Sequence, residues 1–299
     1  MSNSMIGIIA LIVVIAAVVV WMIILESRGY VVNKYEVTVN KKLDHDMHFV
    51  MISDLHDTDH GNNNEVLLEE IRKINPEFVI FAGDIVTAYM EYKYDFEPTL
   101  EFIGRLAKEY KIYYGYGNHE MRYRDNVEKF PEKFKRLDDF LKSVGAPLLD
   151  DEKVAVDGNN ADVYGVVIPH EYYRHFVTKK LPDDYLEKLL GKPDSERVSL
   201  LIGHNPDHFE SYAKWGADVV LSGHVHGGIV SLPLLGGVIS PQLKLFPKYD
   251  AGLFKIKDST MILSRGLGYH TVSVRLNNKA EICDVYVRSK EENYEKTIC

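Results

Sequence analysis

An α/β domain carried on a membrane-spanning N-terminal helix is the fold class this sequence predicts, and three observations predict it. Apolar strand-like runs alternate with helical stripes in the order strand, helix, strand, the pattern of βαβ units. Five of the apolar runs stop at residues able to grip a cation: Asp54-Leu55-His56, Gly83-Asp84, Gly117-Asn118-His119-Glu120, Gly203-His204-Asn205-Pro206 and Gly223-His224-Val225-His226. Ahead of them all, the chain from Met1 to Leu25 carries no charge, and its apolar part from Met5 to Leu25 is close to the ~20 residues a helix needs to cross a bilayer.

The anchor is read as retained, with residues 1–28 the membrane segment and 29–299 a single catalytic domain. Trp21 suits an interfacial depth, and no Ala-x-Ala exit precedes Glu26-Ser27-Arg28, as a cleaved signal would have. Arg28, Lys34, Lys41 and Lys42 follow the anchor while Met1-Ser2-Asn3-Ser4 has no cation, so the positive-inside rule favours a single-pass cell-membrane protein with a cytoplasmic body.

The elements follow in order. Val31 to Val39 alternates as a strand, His48 to Ser53 is a buried one, and Glu65 to Ile74 carries a helical stripe closed by Asn75-Pro76. Phe78 to Ala82 and Lys111 to Gly117 read as strands, Leu100 to Tyr110 and Pro131 to Val144 as helices, the second closed by Gly145. Val154 to Ile168 reads as two short strands around Asp157-Gly158-Asn159-Asn160, and Asp183 to Leu190 as a helix. Val198 to Ile202 is a buried strand, His208 to Trp215 a helix, and Val219 opens the strand that runs into His224. From Gly228 to Val287 alternating segments and glycine turns predict a run of antiparallel strands.

Composition narrows the function. Over 299 residues, 46% hydrophobic and 26% charged content is that of a globular enzyme. A net charge of -9 without a basic stripe argues against nucleic acid, so an anionic substrate needs positive charge supplied locally. Bound divalent cations are one way to supply it. The two cysteines, Cys283 in an alternating run and the terminal Cys299, form neither a disulfide framework nor a thiolate metal site.

The donors at the five strand ends are carboxylate, amide oxygen and imidazole, a mixture that suits Mn, Fe or Zn better than Ca. These blocks resemble the calcineurin-like metallophosphoesterases, whose pattern is Asp-x-His, Gly-Asp, Gly-Asn-His-Asp/Glu, His and Gly-His-x-His in this order. The resemblance implies a four-layer α-β-β-α sandwich with two mixed sheets. It also implies two metal ions, one held by Asp54, His56 and His226, the other by Asn118, His204 and His224, with Asp84 bridging. His119, not a ligand in that family, is the expected catalytic residue that steers or protonates the leaving oxygen. A closer likeness is to the membrane-associated YkuE-type branch, similar to UDP-2,3-diacylglucosamine pyrophosphatases. It is carried by Ser53 to His56, Gly61 to Asn64, Gly223 to Gly228, Pro247 to Gly252 and Ser264 to Gly268. The likeness fades between Tyr164 and Lys192, where His170 and His175 have no counterpart.

The expected reaction is hydrolysis of a phosphate ester or pyrophosphate by in-line attack of a hydroxide shared by two cations about 4 Å apart. The expected substrate is lipid-linked or membrane-proximal, with no nucleic-acid partner. The alternatives are a phosphodiesterase or phosphatase acting on a soluble nucleotide or phosphoprotein, or a metal-binding module without turnover. Arg265 lies in a glycine-rich turn and reads either as a phosphate contact or as a structural ion pair. His60 and His270 read as exposed or packed histidines.

Overall fold

Side chains that alternate along the long strands give each strand two faces to bury. In β1 (Tyr30–Val39), Tyr35, Val37 and Val39 are buried between exposed neighbours. In β2 (Met47–Ile52), Phe49 and Met51 join the same core as those three, while Val50 and Ile52 enter another. The computed structural model describes residues 3–26, 29–88, 95–130, 132–173, 179–228, 230–232, 236–239, 245–269 and 275–290. His175, His270 and Cys299 lie outside them.

One six-stranded sheet has the order β1, β14 (Ala280–Ser289), β2, β3 (Phe78–Phe81), β4 (Lys111–Gly115), β5 (Leu148–Leu149). The other has the order β12 (Gly252–Ile256), β13 (Ser259–Leu263), β9 (Val219–Ser222), β8 (Val198–Ile202), β7 (Ala161–Gly165), β6 (Glu152–Ala155). A separate pair, β10 (Val230–Leu232) and β11 (Gly236–Ile239), is antiparallel. Both large sheets are mixed.

Three apolar cores separate four layers. Phe49, Ile80, Val163, Leu200, Leu221 and Val285 fill the space between the two sheets. The outer face of the first sheet is covered by α2 (Glu65–Ile74), α3 (Glu97–Leu106), α4 (Asn118–Asp125) and α5 (Lys133–Ser143), through residues such as Leu68, Phe102, Met121 and Leu137. The outer face of the second sheet is covered by α6 (Tyr185–Leu190) and α7 (Phe209–Trp215), through Leu186, Phe209 and Tyr212. Strands β2, β3 and β4 run parallel, as do β8 and β9, so their carboxyl ends collect on one edge of each sheet. Loops at such edges are where open α/β sheets build sites.

Three expectations change. The segment from Gly228 to Val287 is not a purely antiparallel run: β12 and β13 form an antiparallel hairpin, but β13 lies parallel to β9, and β14 lies parallel to β1 and antiparallel to β2. The strand β14 is buried on both faces and completes the first sheet from the far end of the chain, a long-range pairing that local alternation does not encode. Helix α4 was not expected; it has no apolar stripe and instead buries Asn118, His119, Glu120, Met121 and Tyr123. The third concerns α1 (Asn3–Glu26), 24 residues long with Ile6, Leu11 and Trp21 among its exposed side chains. Among the described residues no helix is long and apolar enough to cross a membrane.

Candidate metal centre

Backbone hydrogen bonds between loops bring the strand ends together. Asp54 N–H donates to Gly83 O at 3.0 Å, His56 N–H to Asp84 O at 3.1 Å, and Gly223 N–H to His204 O at 3.1 Å. Two glycines are required by how closely the loops approach. A Cβ on Gly117 would lie 2.2 Å from Asp84 Oδ1, and one on Gly223 would lie 1.9 Å from Ser53 Oγ and 2.2 Å from Asp54 Oδ2.

The result is a converging set of donors. Asp54, His56 and His226 form one group, Asp84, His204 and His224 another, and His56, Asp84 and His119 a third, with the ligand atoms of each group within 4.8 Å of one another. His226 Nε2 is 3.3 Å and His56 Nε2 3.8 Å from Asp54 Oδ1, and the two imidazole Nε2 atoms face each other at 3.2 Å. His204 Nε2 lies 3.2 Å from Asp84 Oδ2 and 3.8 Å from Asp54 Oδ1. All are buried except the half-buried His224.

Two atoms test whether these residues fit a cation. His204 Nδ1 donates to Ala82 O at 2.7 Å, which leaves the Nε2 lone pair of the neutral ring facing the carboxylates. That Nε2 and Asn118 Oδ1 are both buried with no hydrogen-bond partner among the described residues. A buried acceptor without a donor costs about 1–3 kcal/mol, a cost a metal ion offsets at Asn118 Oδ1, while at His204 Nε2 an ion and a proton are alternatives. The donor set therefore fits a divalent metal cation.

The charges point the same way. Burial pushes Asp54 up to about 6 despite the His204 charge beside it, with Asp84 raising it further. Burial would also raise Asp84, but His204, His119 and His56 outweigh it and hold the carboxyl well below the usual range. Burial would lower His204, yet Asp84 and Asp54 lift it to about 9. The pocket of carboxylates thus demands positive charge, which a proton on His204 meets when no cation does.

A sequence profile of the calcineurin-like phosphoesterases matches residues 47–228, more than half of the chain and the stretch that holds all seven candidate ligands. The chain belongs to the calcineurin-like phosphoesterases. It is accordingly a metal-dependent hydrolase of phosphoric esters or anhydrides. Among its relatives are YkuE, an uncharacterized metallophosphoesterase of Bacillus subtilis (strain 168), 24% identical over 78% of this chain and 76% of that one. The UDP-2,3-diacylglucosamine pyrophosphatase LpxG of Chlamydia trachomatis serovar D is 26% identical over 88% of this chain and 91% of the relative. Among solved structures, the NAD nucleotidase NadN of Haemophilus influenzae aligns at 17% identity and a TM-score of 0.42 over 75% of this chain; the chain spans 46% of that protein.

Several residues of this calcineurin-like phosphoesterase serve the centre in ways its motifs do not announce. Glu120 accepts from Asp84 N–H at 2.9 Å, Ile85 N–H at 2.8 Å, Gly117 N–H at 2.9 Å and Tyr114 Oη at 2.8 Å, fastening the Gly83–Val86 loop to the start of α4. Ser53 Oγ donates to Asp54 Oδ2 at 2.7 Å, and His224 N–H reaches both Asp54 oxygens at 3.0 Å. Asp57 accepts from Thr87 N–H and Thr99 Oγ1, each at 2.7 Å, and burial pushes its carboxyl up to about 7.

Arg275, on no motif, is 3% exposed and donates to the carbonyls of Arg265, Gly266 and Gly268 at 2.8, 3.1 and 2.8 Å. It holds the turn whose Gly268 N–H donates to Asp54 O at 2.5 Å. The only sequence signal for Arg275 is a cation in an otherwise apolar run. Arg265 lies in that turn, with Nη1 donating to Asn278 Oδ1 at 2.8 Å and its backbone N–H to Glu281 Oε1 at 2.6 Å. His60 packs edge-on against Tyr30 and contacts Leu267 O at 3.0 Å, away from the donor groups.

Proposed function

We propose that this phosphoesterase is dinuclear, with Asp54, His56 and His226 holding one ion, Asn118, His204 and His224 the other, and Asp84 shared. The observation that carries the reading is two three-residue donor groups set side by side, Asp54-His56-His226 and Asp84-His204-His224, with His56 Nε2 3.9 Å from Asp84 Oδ2 and the buried Asn118 Oδ1 at hand. Mn, Fe or Zn bound there supplies charge neutralisation for the phosphate oxygens and an acidified water.

His119 is the acid for the departing oxygen. Ala88 N–H donates to its Nδ1 at 2.8 Å, so the neutral ring carries its proton on Nε2, from which it steers the departing oxygen by donating a hydrogen bond and protonates it only from the imidazolium form. Its own N–H donates to Asp84 Oδ1 at 2.8 Å, which ties its position to that of the shared carboxylate.

The substrate is a phosphate ester or pyrophosphate near a membrane, of the acylated nucleotide-sugar kind. Two facts support this: the uncharged, largely apolar sequence from Met5 to Leu25, and the relative named as a UDP-2,3-diacylglucosamine pyrophosphatase. The body, residues 29–299, sits on the cytoplasmic face, where Arg28, Lys34, Lys41 and Lys42 follow the anchor.

The test is metal-dependent turnover of an aryl phosphate by the full chain reloaded with manganese, alongside metal analysis. Two ions per chain and loss of activity in His226→Ala are expected. A panel of acylated nucleotide sugars, soluble nucleotides and phosphopeptides then ranks substrates. No hydrolysis of any ester or anhydride by the reloaded chain ends the enzymatic reading.

A further inference from the structure

A cavity of about 220 Å³ lies between α4 and the 3-10 turn His170–Tyr172, lined by Arg122, Asn126, Lys129, Phe130 and His170. Two of these five are permanent cations, two more are polar, and none is acidic. In a chain of net charge -9 such a lining selects for anions. The cavity includes His170, from the stretch where the family likeness fades.

The position of the cavity ties it to the centre. Arg122 stands three residues after His119 on α4, and its Nη1 donates to Ala88 O at 2.9 Å. The N–H of that same Ala88 donates to His119 Nδ1. From the other wall, the turn runs through Tyr172 into Tyr173, whose ring meets the edge of His224 at 4.8 Å between centroids. His170 Nε2 is buried with no hydrogen-bond partner among the described residues. Burial and the neighbouring Arg122 charge hold its imidazole below the usual range, against the pull of Asp125 and Asp84. Asp125 is itself engaged by Arg124 at 2.9 Å. Arg122 spends one of five N–H donors on Ala88 O, and a guanidinium offers the rest in the fork that matches phosphate.

We propose that this cavity is a subsite for a second phosphoryl group, so that the enzyme prefers a phosphoanhydride to a lone monoester. The inference rests on the hydrolase reading above for the first phosphoryl group. Arg122 and Lys129 pair with the anionic oxygens, His170 and Asn126 hydrogen-bond to them, and the ring of Phe130 lies against the organic part that the second phosphate carries.

The experiment measures pyrophosphate binding to the full chain by calorimetry after chelator treatment, which removes the centre's contribution, with the parent compared to Lys129→Met and His170→Gln. Pyrophosphate binds the parent, and each variant weakens it by about tenfold, the size of one charge-assisted hydrogen bond. Lys129 is exposed, so Lys129→Met keeps the fold even if His170→Gln does not. No binding to the parent, or equal binding by Lys129→Met, overturns the subsite. Aryl phosphate turnover is followed separately. A chain that hydrolyses the aryl ester without binding pyrophosphate here loses the subsite and keeps the hydrolase. One that binds pyrophosphate through these residues without turnover does the reverse.

Discussion

Gly117→Ala isolates the closest approach in the centre. Gly117 has φ −99°, a conformation alanine adopts freely, so backbone strain plays no part. The added Cβ is the whole perturbation: it would sit 2.2 Å from Asp84 Oδ1, 2.3 Å from Asp84 N and 2.8 Å from Asp84 Cγ. Ordinary contact requires the carboxylate to retreat by about 1 Å, and a displacement of that size is worth on the order of a hundredfold in rate. Retreat also strains the bond from His119 N–H to Oδ1 and the bond from Asp84 N–H to Glu120 Oε2. The overpacking itself costs about 1–3 kcal/mol.

A control separates the two effects. Gly145 has φ +73° and nothing within 4 Å of where an added methyl would stand, so Gly145→Ala costs about 1–2 kcal/mol through left-handed backbone alone. Metal content after reloading, kcat/KM on an aryl phosphate and denaturant melts are measured for both variants. Gly117→Ala loses metal and about a hundredfold in kcat/KM, while Gly145→Ala is destabilised with kcat/KM intact. If Gly117→Ala holds its full metal complement and turns over within twofold of the parent, the close-approach argument is wrong.

Arg275→Met strips donors from the carbonyls of Arg265, Gly266, Gly268 and Asn278 and lowers stability by about 3 kcal/mol or more in denaturant melts, with activity falling as the turn behind Asp54 loosens. His119→Asn keeps the parent's metal content but lowers kcat by roughly 10²- to 10⁴-fold, most for substrates with basic leaving groups; equal losses for good and poor leaving groups would remove its role at the leaving oxygen. Without metal, His204 holds its proton to about pH 9 when folded and to about 6.5 when unfolded, so its stabilisation is complete below pH 6.5 and lost as pH rises through 9. Asp54 and Asp57, raised to about 6 and about 7, act in the same sense from about pH 4 to 7. Chelator-treated protein therefore melts at lower temperature at pH 9 than at pH 6.5, and manganese, by displacing the His204 proton, stabilises more at the higher pH.

The strands were legible because each is an unbroken apolar run that stops abruptly. Phe78 to Ala82 and Val198 to Ile202 match β3 and β8 to within a residue, and Glu65 to Ile74 matches α2 at both ends. Helix α4 was not legible, since Asn118-His119-Glu120-Met121-Arg122-Tyr123-Arg124-Asp125 has the composition of a loop. What makes it a helix is Glu120, whose carboxylate accepts Gly117 N–H, the N3-to-N-cap half of a capping box, while also holding the Asp84 loop. The partners of β14 were hidden for a different reason: pairing to β1 spans nearly the whole chain, as Tyr30 opposite Ala280 illustrates. The candidate ligands were visible by type and order, but Arg275, Ser53 and Asp57, which hold their loops, sit in no pattern that spacing reveals.

Backbone conformation is the feature of the centre that sequence conceals most fully. Five of the seven candidate ligands, Asp54, His56, Asp84, His224 and His226, have φ between 50° and 74°, in the left-handed region that L-residues seldom enter. Left-handed backbone costs about 1–2 kcal/mol at each such residue, and a concentration of it in one small volume marks a site whose surroundings enforce it. The enforcing groups are visible: Asp54 N–H, His56 N–H and Asp84 N–H are each held by a carbonyl or carboxylate of a neighbouring loop, and His224 N–H by Asp54. Such turns aim consecutive side chains inward, which lets His224 and His226 join different donor groups although only Val225 separates them. A glycine at His56 or His226 would relieve the backbone but remove the ligand, so strain and metal affinity are set against each other at the same positions. His226→Gly should therefore be destabilised less by chelator than the parent, because it has less to lose when metal leaves; equal losses would mean that the bound ion does not offset the strained backbone.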